Sequence, residues 1–133
     1  MNSRRQSSGF TLLELLIVVM IIGILAILAY VGTVSYANRA KASEARNNIG
    51  SVKRLVETEF SQSGTVPSGS AATAFPNYAI SGKYYEDFTI TGTCDASTGR
   101  FQGTIAAVGR SGSPTGLTIT FNADGSTSEA GFP

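Results

Sequence analysis

Gly9-Phe10-Thr11-Leu12-Leu13-Glu14 leads directly into the apolar run LLIVVMIIGILAILAYV, Leu15 to Val31, and no charged residue follows Glu14 until Arg39. As a helix, Phe10 to Val34 would be ~37 Å long at about 1.5 Å per residue, enough to cross a hydrocarbon core of ~30 Å. The segment therefore reads as entering a membrane. Glu14 is out of place in it, because an ionisable side chain in such a segment costs on the order of 3 kcal/mol or more unless something pairs with it. A partner for Glu14 is implied. A secretory signal peptide would have an apolar core of about 7–15 residues and a small-residue cleavage site. This core is longer, and the best such site, Ala40-Lys41-Ala42, lies beyond Arg39. A plain signal anchor accounts for the apolar run and for Arg4 and Arg5 on the inner side, but leaves Glu14 unexplained.

Arg4 and Arg5, the Gly9-Phe10 junction and Glu14, heading so long an apolar run, resemble the N-terminus of type IV prepilins, the precursors of bacterial pilus subunits. The resemblance is close from Arg4 to Ala45 and holds in outline beyond. It implies a leader Met1 to Gly9, cleavage between Gly9 and Phe10 by a prepilin peptidase, and N-methylation of the new terminal Phe10. It also implies that Glu14, fifth in the mature chain, pairs with the N-terminal amine of a neighbouring subunit during assembly. The electrostatics agree. A new α-amine, with a reference pKa of ~7.7–8, would lie close in sequence to the carboxylate, which itself sits at the positive end of a helix dipole. In lipid an unpaired carboxylate is penalised, whereas in a bundle of helices it gains a partner, so the penalty favours docking in one register. The plainer reading is an interfacial Glu14, one turn from the helix start, that snorkels to water.

The 133 residues leave room for one modest domain once the apolar segment is set aside. A formal net charge of +1 gives no general attraction for nucleic acid. Charge is uneven, however. Ser35 to Phe60 carries Arg39, Lys41, Arg46, Lys53 and Arg54 against Glu44, Glu57 and Glu59; Ser61 to Pro133 carries Lys83, Arg100 and Arg110 against Glu86, Asp87, Asp95, Asp124 and Glu129. The distal part is thus mildly acidic. With no His and a single Cys, imidazole acid/base chemistry and the familiar His or multi-Cys zinc sites are excluded.

No proline precedes Pro67, so the apolar helix is expected to continue into a polar one, Ser35 to about Phe60. Ala45, Ile49, Val52, Val56 and Phe60 recur at spacings of three and four and draw a stripe along one face, widened by Leu55. Lys53 and Arg54 fall at i,i+4 and i,i+3 from Glu57 on the other face. Ser61-Gln62-Ser63-Gly64 and Pro67-Ser68-Gly69-Ser70 end the helix. Strand character follows: Tyr84, Phe88 and Ile90 share one parity, Phe101, Ile105 and Ala107 another, and Leu117, Ile119 and Phe121 alternate with Thr118 and Thr120. Turn-rich links at Asp95 to Gly99, Gly109 to Gly116 and Asn122 to Gly125 separate them. The expected fold is α+β: a long N-terminal helix whose second half packs on a three- or four-stranded antiparallel sheet, the arrangement that the resemblance also implies.

Some residues depart from the family pattern. Gly23 and Gly32 read either as loosened points in the helix or as notches for helix packing, and Val31 stands where the family usually has the proline that accompanies local melting. Cys94 has no partner in the chain for a C-terminal disulfide; it reads first as a buried, inert thiol and otherwise as an intermolecular or reactive one. Tyr84-Tyr85-Glu86-Asp87 reads as a solvated strand edge rather than a cation site, because neighbouring strand residues point to opposite faces. The Ser/Thr/Gly loops offer positions for O-linked sugars, and the chain has no Asn-x-Ser/Thr acceptor.

The resulting expectation is a non-enzymatic filament subunit with no catalytic residue, cofactor or metal. Its parts are the leader 1–9, a membrane-spanning and filament-core helix 10–34, an amphipathic helix 35–60 and a globular head 61–133. It is expected in the inner membrane as precursor and stored subunit, and then in an extracellular pilus. Its partners are other copies of itself or a mixed pilus, the prepilin peptidase, the inner-membrane assembly platform and, before assembly, the lipid bilayer. No specific nucleic-acid binding is indicated, since no basic–aromatic cluster supports DNA capture. Two alternatives stand: a pseudopilin of a type II secretion system, working in the periplasm, and a signal-anchored binding module that never polymerises.

Overall fold

Ala42, Ala45, Ile49, Val52 and Val56 lie on one side of a helix, and all five are buried at 2% exposure or less. Together they line the side of α1 (Leu12–Ser63) that faces the sheet. The computed structural model describes residues 10–133. By its contacts the chain divides into two units, one ending at Ser35 and one of Tyr36–Pro133. Within the second unit α1 ends where Ser63 gives way to Gly64, whose φ of 69° suits a residue without Cβ. The Gly64 N–H closes the last turn on the Phe60 carbonyl at 2.8 Å.

Five strands follow: β1 (Gly69–Ser70), β2 (Tyr85–Cys94), β3 (Phe101–Gly109), β4 (Thr118–Phe121) and β5 (Thr127–Ala130), with the short helix α2 (Ala71–Ala74) after β1. They pair antiparallel in chain order, β1-β2-β3-β4-β5. The meander of β2, β3 and β4 is the one that alternation predicts, and β1 and β5 widen it. Neither addition alternates hydrophobicity: β1 has two residues, and all four of β5 are exposed. Short length on one edge and polar side chains on the other blunt a sheet against further pairing.

The buried sheet residues are Tyr85, Phe88, Ile90, Phe101, Ile105 and Ile119, joined by Leu117 just ahead of β4, and they meet the α1 stripe in one core. Each such large apolar side chain contributes about 1.5–3 kcal/mol when fully buried. Phe60, expected in the stripe, is only half-buried, because it lies in the last turn of α1. Parity also fails at the start of β2. Tyr85 rather than Tyr84 is buried, because the register slips between Tyr85↔Gly109 and Asp87↔Val108 and leaves Glu86 as an extra residue. That bulge sets Asp87 apart from a solvated edge. Asp87 lies on an inner strand and is half-buried, and its carboxylate accepts from Ser70 Oγ at 2.5 Å and from the N–H groups of Ala72 at 2.9 Å and Phe88 at 2.7 Å. Burial alone would raise its pKa, but these bonds outweigh burial and lower it.

Gly92 and Gly103 face each other across β2 and β3. A Cβ on either would collide with the opposite strand's backbone, and beside both lies the tip of the Phe101 ring. The glycine pair thus makes room for Phe101 to fold back over its own hairpin.

Candidate functional site

Phe10 and Thr11 lead into α1. The Glu14 N–H donates to Thr11 Oγ1 at 3.3 Å, and the Leu15 N–H donates to the Thr11 carbonyl at 3.2 Å. Thr11 is therefore the helix cap and Glu14 the third helical residue, the spacing of a capping box. Capping of this kind is worth about 1 kcal/mol, and a carboxylate in the first turn complements the helix dipole. Sequence reasoning singled out Glu14 and passed over Thr11, although Thr-x-x-Glu ahead of an apolar run is the usual sign of a capped start. Gly9 lies outside the described residues. Phe10, the expected mature terminus, is 68% exposed.

Every described side chain from Phe10 to Tyr30 is exposed, right round the helix. A helix apolar on all sides is suited to lipid or to packing among other helices. α1 runs unbroken through Gly23 and Gly32, and a Cβ at either would touch nothing within 4 Å, so both glycines are open notches on the surface. Thr33, one of the few polar residues in the run, turns its hydroxyl back to the carbonyls of Ala29 at 2.8 Å and Tyr30 at 2.9 Å. Its polarity is thereby satisfied within the helix. Among the described residues, Glu14 is the one acidic or basic side chain of this segment, and no donor lies on its carboxylate.

In the second unit two helix carboxylates fasten the sheet, one at each end. Glu44 accepts the Tyr84 N–H at 2.8 Å, with Gly82 packed so tightly beside it that a Cβ there would strike the carboxylate. Glu57 accepts the Phe101 N–H at 2.9 Å and pairs with Lys53 at 2.7 Å. The expected Lys53–Glu57 pair is present, whereas Arg54 turns its Nε to the Gly50 carbonyl instead. A third tie joins the last strand to the helix: Arg46 Nε and Nη2 donate to the Glu129 carboxylate at 2.8 and 2.6 Å, and the guanidinium lies 4.5 Å from the Phe132 ring centroid. This pair raises the Arg46 pKa and lowers that of Glu129, each chiefly through their shared hydrogen bonds. Being exposed, it is worth little more than a surface ion pair. Cys94 is half-buried rather than sealed in the core, since it ends β2; burial and then the Glu57 charge push its thiol pKa up, partly offset by Lys53.

What the first unit can do chemically is associate. It offers an apolar cylinder, two notches and one carboxylate in the first turn. Residues 4–30 match the family described as the prokaryotic N-terminal methylation motif. Over 125 residues the chain is 36% identical to the fimbrial protein EcpC of Eikenella corrodens, a match that takes in 92% of this chain and 80% of that protein. With the methylation motif at the head of its apolar helix and homology along most of its length, the chain belongs to the type IV pilin family, whose members are structural subunits rather than enzymes.

Proposed function

We propose that the chain is a subunit of a type IV pilus. Residues 10–34 hold the precursor in the inner membrane, a prepilin peptidase cuts between Gly9 and Phe10, and Phe10 is N-methylated. The assembly platform then draws the subunit into a filament whose core is built from copies of the apolar helix, with residues 35–133 forming the outer layer and 61–133 its head. Passing from lipid to a helix bundle changes the apolar side chains' surroundings little, because lipid tails are as apolar as leucine. Glu14 supplies the difference: in lipid it stands alone, and in the bundle it meets the α-amine of the next subunit. The observation that carries this reading is the cylinder of exposed apolar side chains with a single carboxylate in its first turn. Kinship with a fimbrial protein favours a surface pilus over a secretion pseudopilus.

Mass spectrometry of filaments sheared from cells tests the proposal. The chain should be present, beginning at Phe10 and carrying one added methyl group. A filament chain that kept Met1 to Gly9, or one that began after Ala42, would contradict it.

A further inference from the structure

Positive charge gathers in the unit Tyr36–Pro133 just beyond the end of the uncharged run. Arg39 and Lys41 follow Val34 by about 7–10 Å along α1 at about 1.5 Å per residue. The sheet brings two more cations to the level of Lys41. Lys41 Nζ and Lys83 Nζ lie 5.4 and 5.3 Å from the centroid of the same Tyr84 ring. Lys41 donates to the Gly112 carbonyl at 2.6 Å, and the Arg110 N–H donates to the Tyr84 carbonyl at 2.9 Å. Arg39, Lys83 and Arg110 are exposed. The carboxylates at this end are Glu44, engaged by the Tyr84 N–H, Glu86, 3.9 Å from Arg110, and Asp87, engaged by Ser70 and the N–H groups of Ala72 and Phe88. Four cations against three carboxylates leave this end of the unit positive by one charge, while the turns at the other end carry Asp95 and Asp124 with Arg100 beside them.

We infer that Arg39, Lys41, Lys83 and Arg110 form a collar that binds the phosphates of anionic phospholipids in the bilayer holding the stored subunit. The inference rests on the reading that residues 10–34 span that bilayer. The headgroup layer adds ~5–7 Å on each side of a ~30 Å core, so cations ~7–10 Å beyond the apolar run stand at its outer edge, within reach of a flexible side chain. Tyr36, 73% exposed between the run and the collar, is the aromatic residue that a membrane interface favours. A basic side chain near an anionic surface strengthens its hold about fivefold. The collar therefore presses the head onto the bilayer and is released when the subunit is drawn into the filament.

The test uses the full chain in lipid nanodiscs, made either of phosphatidylcholine alone or of phosphatidylcholine mixed with phosphatidylglycerol. Lys83 is acylated with a water-soluble amine reagent and quantified by mass spectrometry against Lys53 at the far end. Lys83 should react several-fold more slowly in the anionic discs; high salt should abolish the difference, and Arg39→Glu with Arg110→Glu should shrink it. An equal Lys83 to Lys53 ratio in both lipids would overturn the inference. So would protection that follows the number of chains per disc rather than lipid charge, which would assign this face to a second copy. A chain that entered neither disc would overturn the membrane-span reading, and the collar with it.

Discussion

Replacing Glu57 with Ala removes one end of the fastening between helix and sheet, and the structure sets the size of the loss. Two interactions go: the ion pair with Lys53 at 2.7 Å and the bond from the Phe101 N–H at 2.9 Å. The two ion-pair side chains are 27% and 24% exposed, so this pair contributes only about 0.5 kcal/mol. Phe101 is 2% exposed, and leaving its N–H without an acceptor costs about 1–3 kcal/mol. The sum is about 2 kcal/mol, which for a unit of this size lowers Tm by about 8–16 °C. Lys53→Ala loses the ion pair alone and should shift Tm by no more than about 4 °C. Glu57→Gln keeps an acceptor and should fall between the two. Glu44→Ala should behave like Glu57→Ala, and since the two carboxylates are ~20 Å apart along α1, the double variant should show additive losses. Thermal melts of the full chain in detergent, followed by the near-ultraviolet signal of the tyrosines, give these values. A Glu57→Ala melt within about 2 °C of the parent, or no lower than that of Lys53→Ala, would refute the reasoning.

Two further outcomes follow from titrating groups. With its pKa raised by burial and by Glu57, the Cys94 thiol should react with iodoacetamide more slowly at pH 8 than in the unfolded chain, and Glu57→Gln should speed it; equal rates would contradict the described environment. The Asp95 carboxylate, fully exposed, accepts the N–H and hydroxyl of both Ser97 and Thr98, and these bonds hold its pKa at about 2 against an ordinary 3.8. A depressed carboxylate pKa contributes stability that is present above 3.8 and lost as pH falls through about 2. The Asp95–Gly99 turn should therefore keep its amide-exchange protection above about pH 4 and lose it progressively from there to about pH 2, whereas in Asp95→Asn the protection should not change over that interval.

Legibility in the sequence tracked periodicity. The stripe Ala45, Ile49, Val52 and Val56 is buried as its spacing requires, and Phe101, Ile105, Leu117 and Ile119 enter the core at the expected parity. The misplacement of Tyr84 for Tyr85 comes from Glu86, since a bulge inverts every parity on one side of it and carries no composition signal of its own. β5 escaped notice because an edge strand with four exposed residues has no alternation to read. The carboxylate roles of Glu44, Glu57 and Asp87 depend on N–H groups 40, 44 and 15 residues away, a separation that no local pattern reports. The methylation motif is legible as a string over residues 4–30, because its residues are neighbours in sequence. The capping role of Thr11 is legible in the same string, since Thr-x-x-Glu ahead of an apolar run marks a capped helix start.

The claim that this helix polymerises through Glu14 is tested most directly by filament yield from Glu14→Leu in a strain that makes no other pilin. The substitution keeps the apolar drive into the bilayer and removes the carboxylate. Electron microscopy and quantification of sheared filaments should then find few or none, while the membrane fraction holds folded subunit cleaved after Gly9. Glu14→Gln, which keeps size and hydrogen bonding, should resemble Glu14→Leu more than the parent. Filament yield from Glu14→Leu equal to that of the parent would contradict the account and leave Glu14 as a residue of the helix cap.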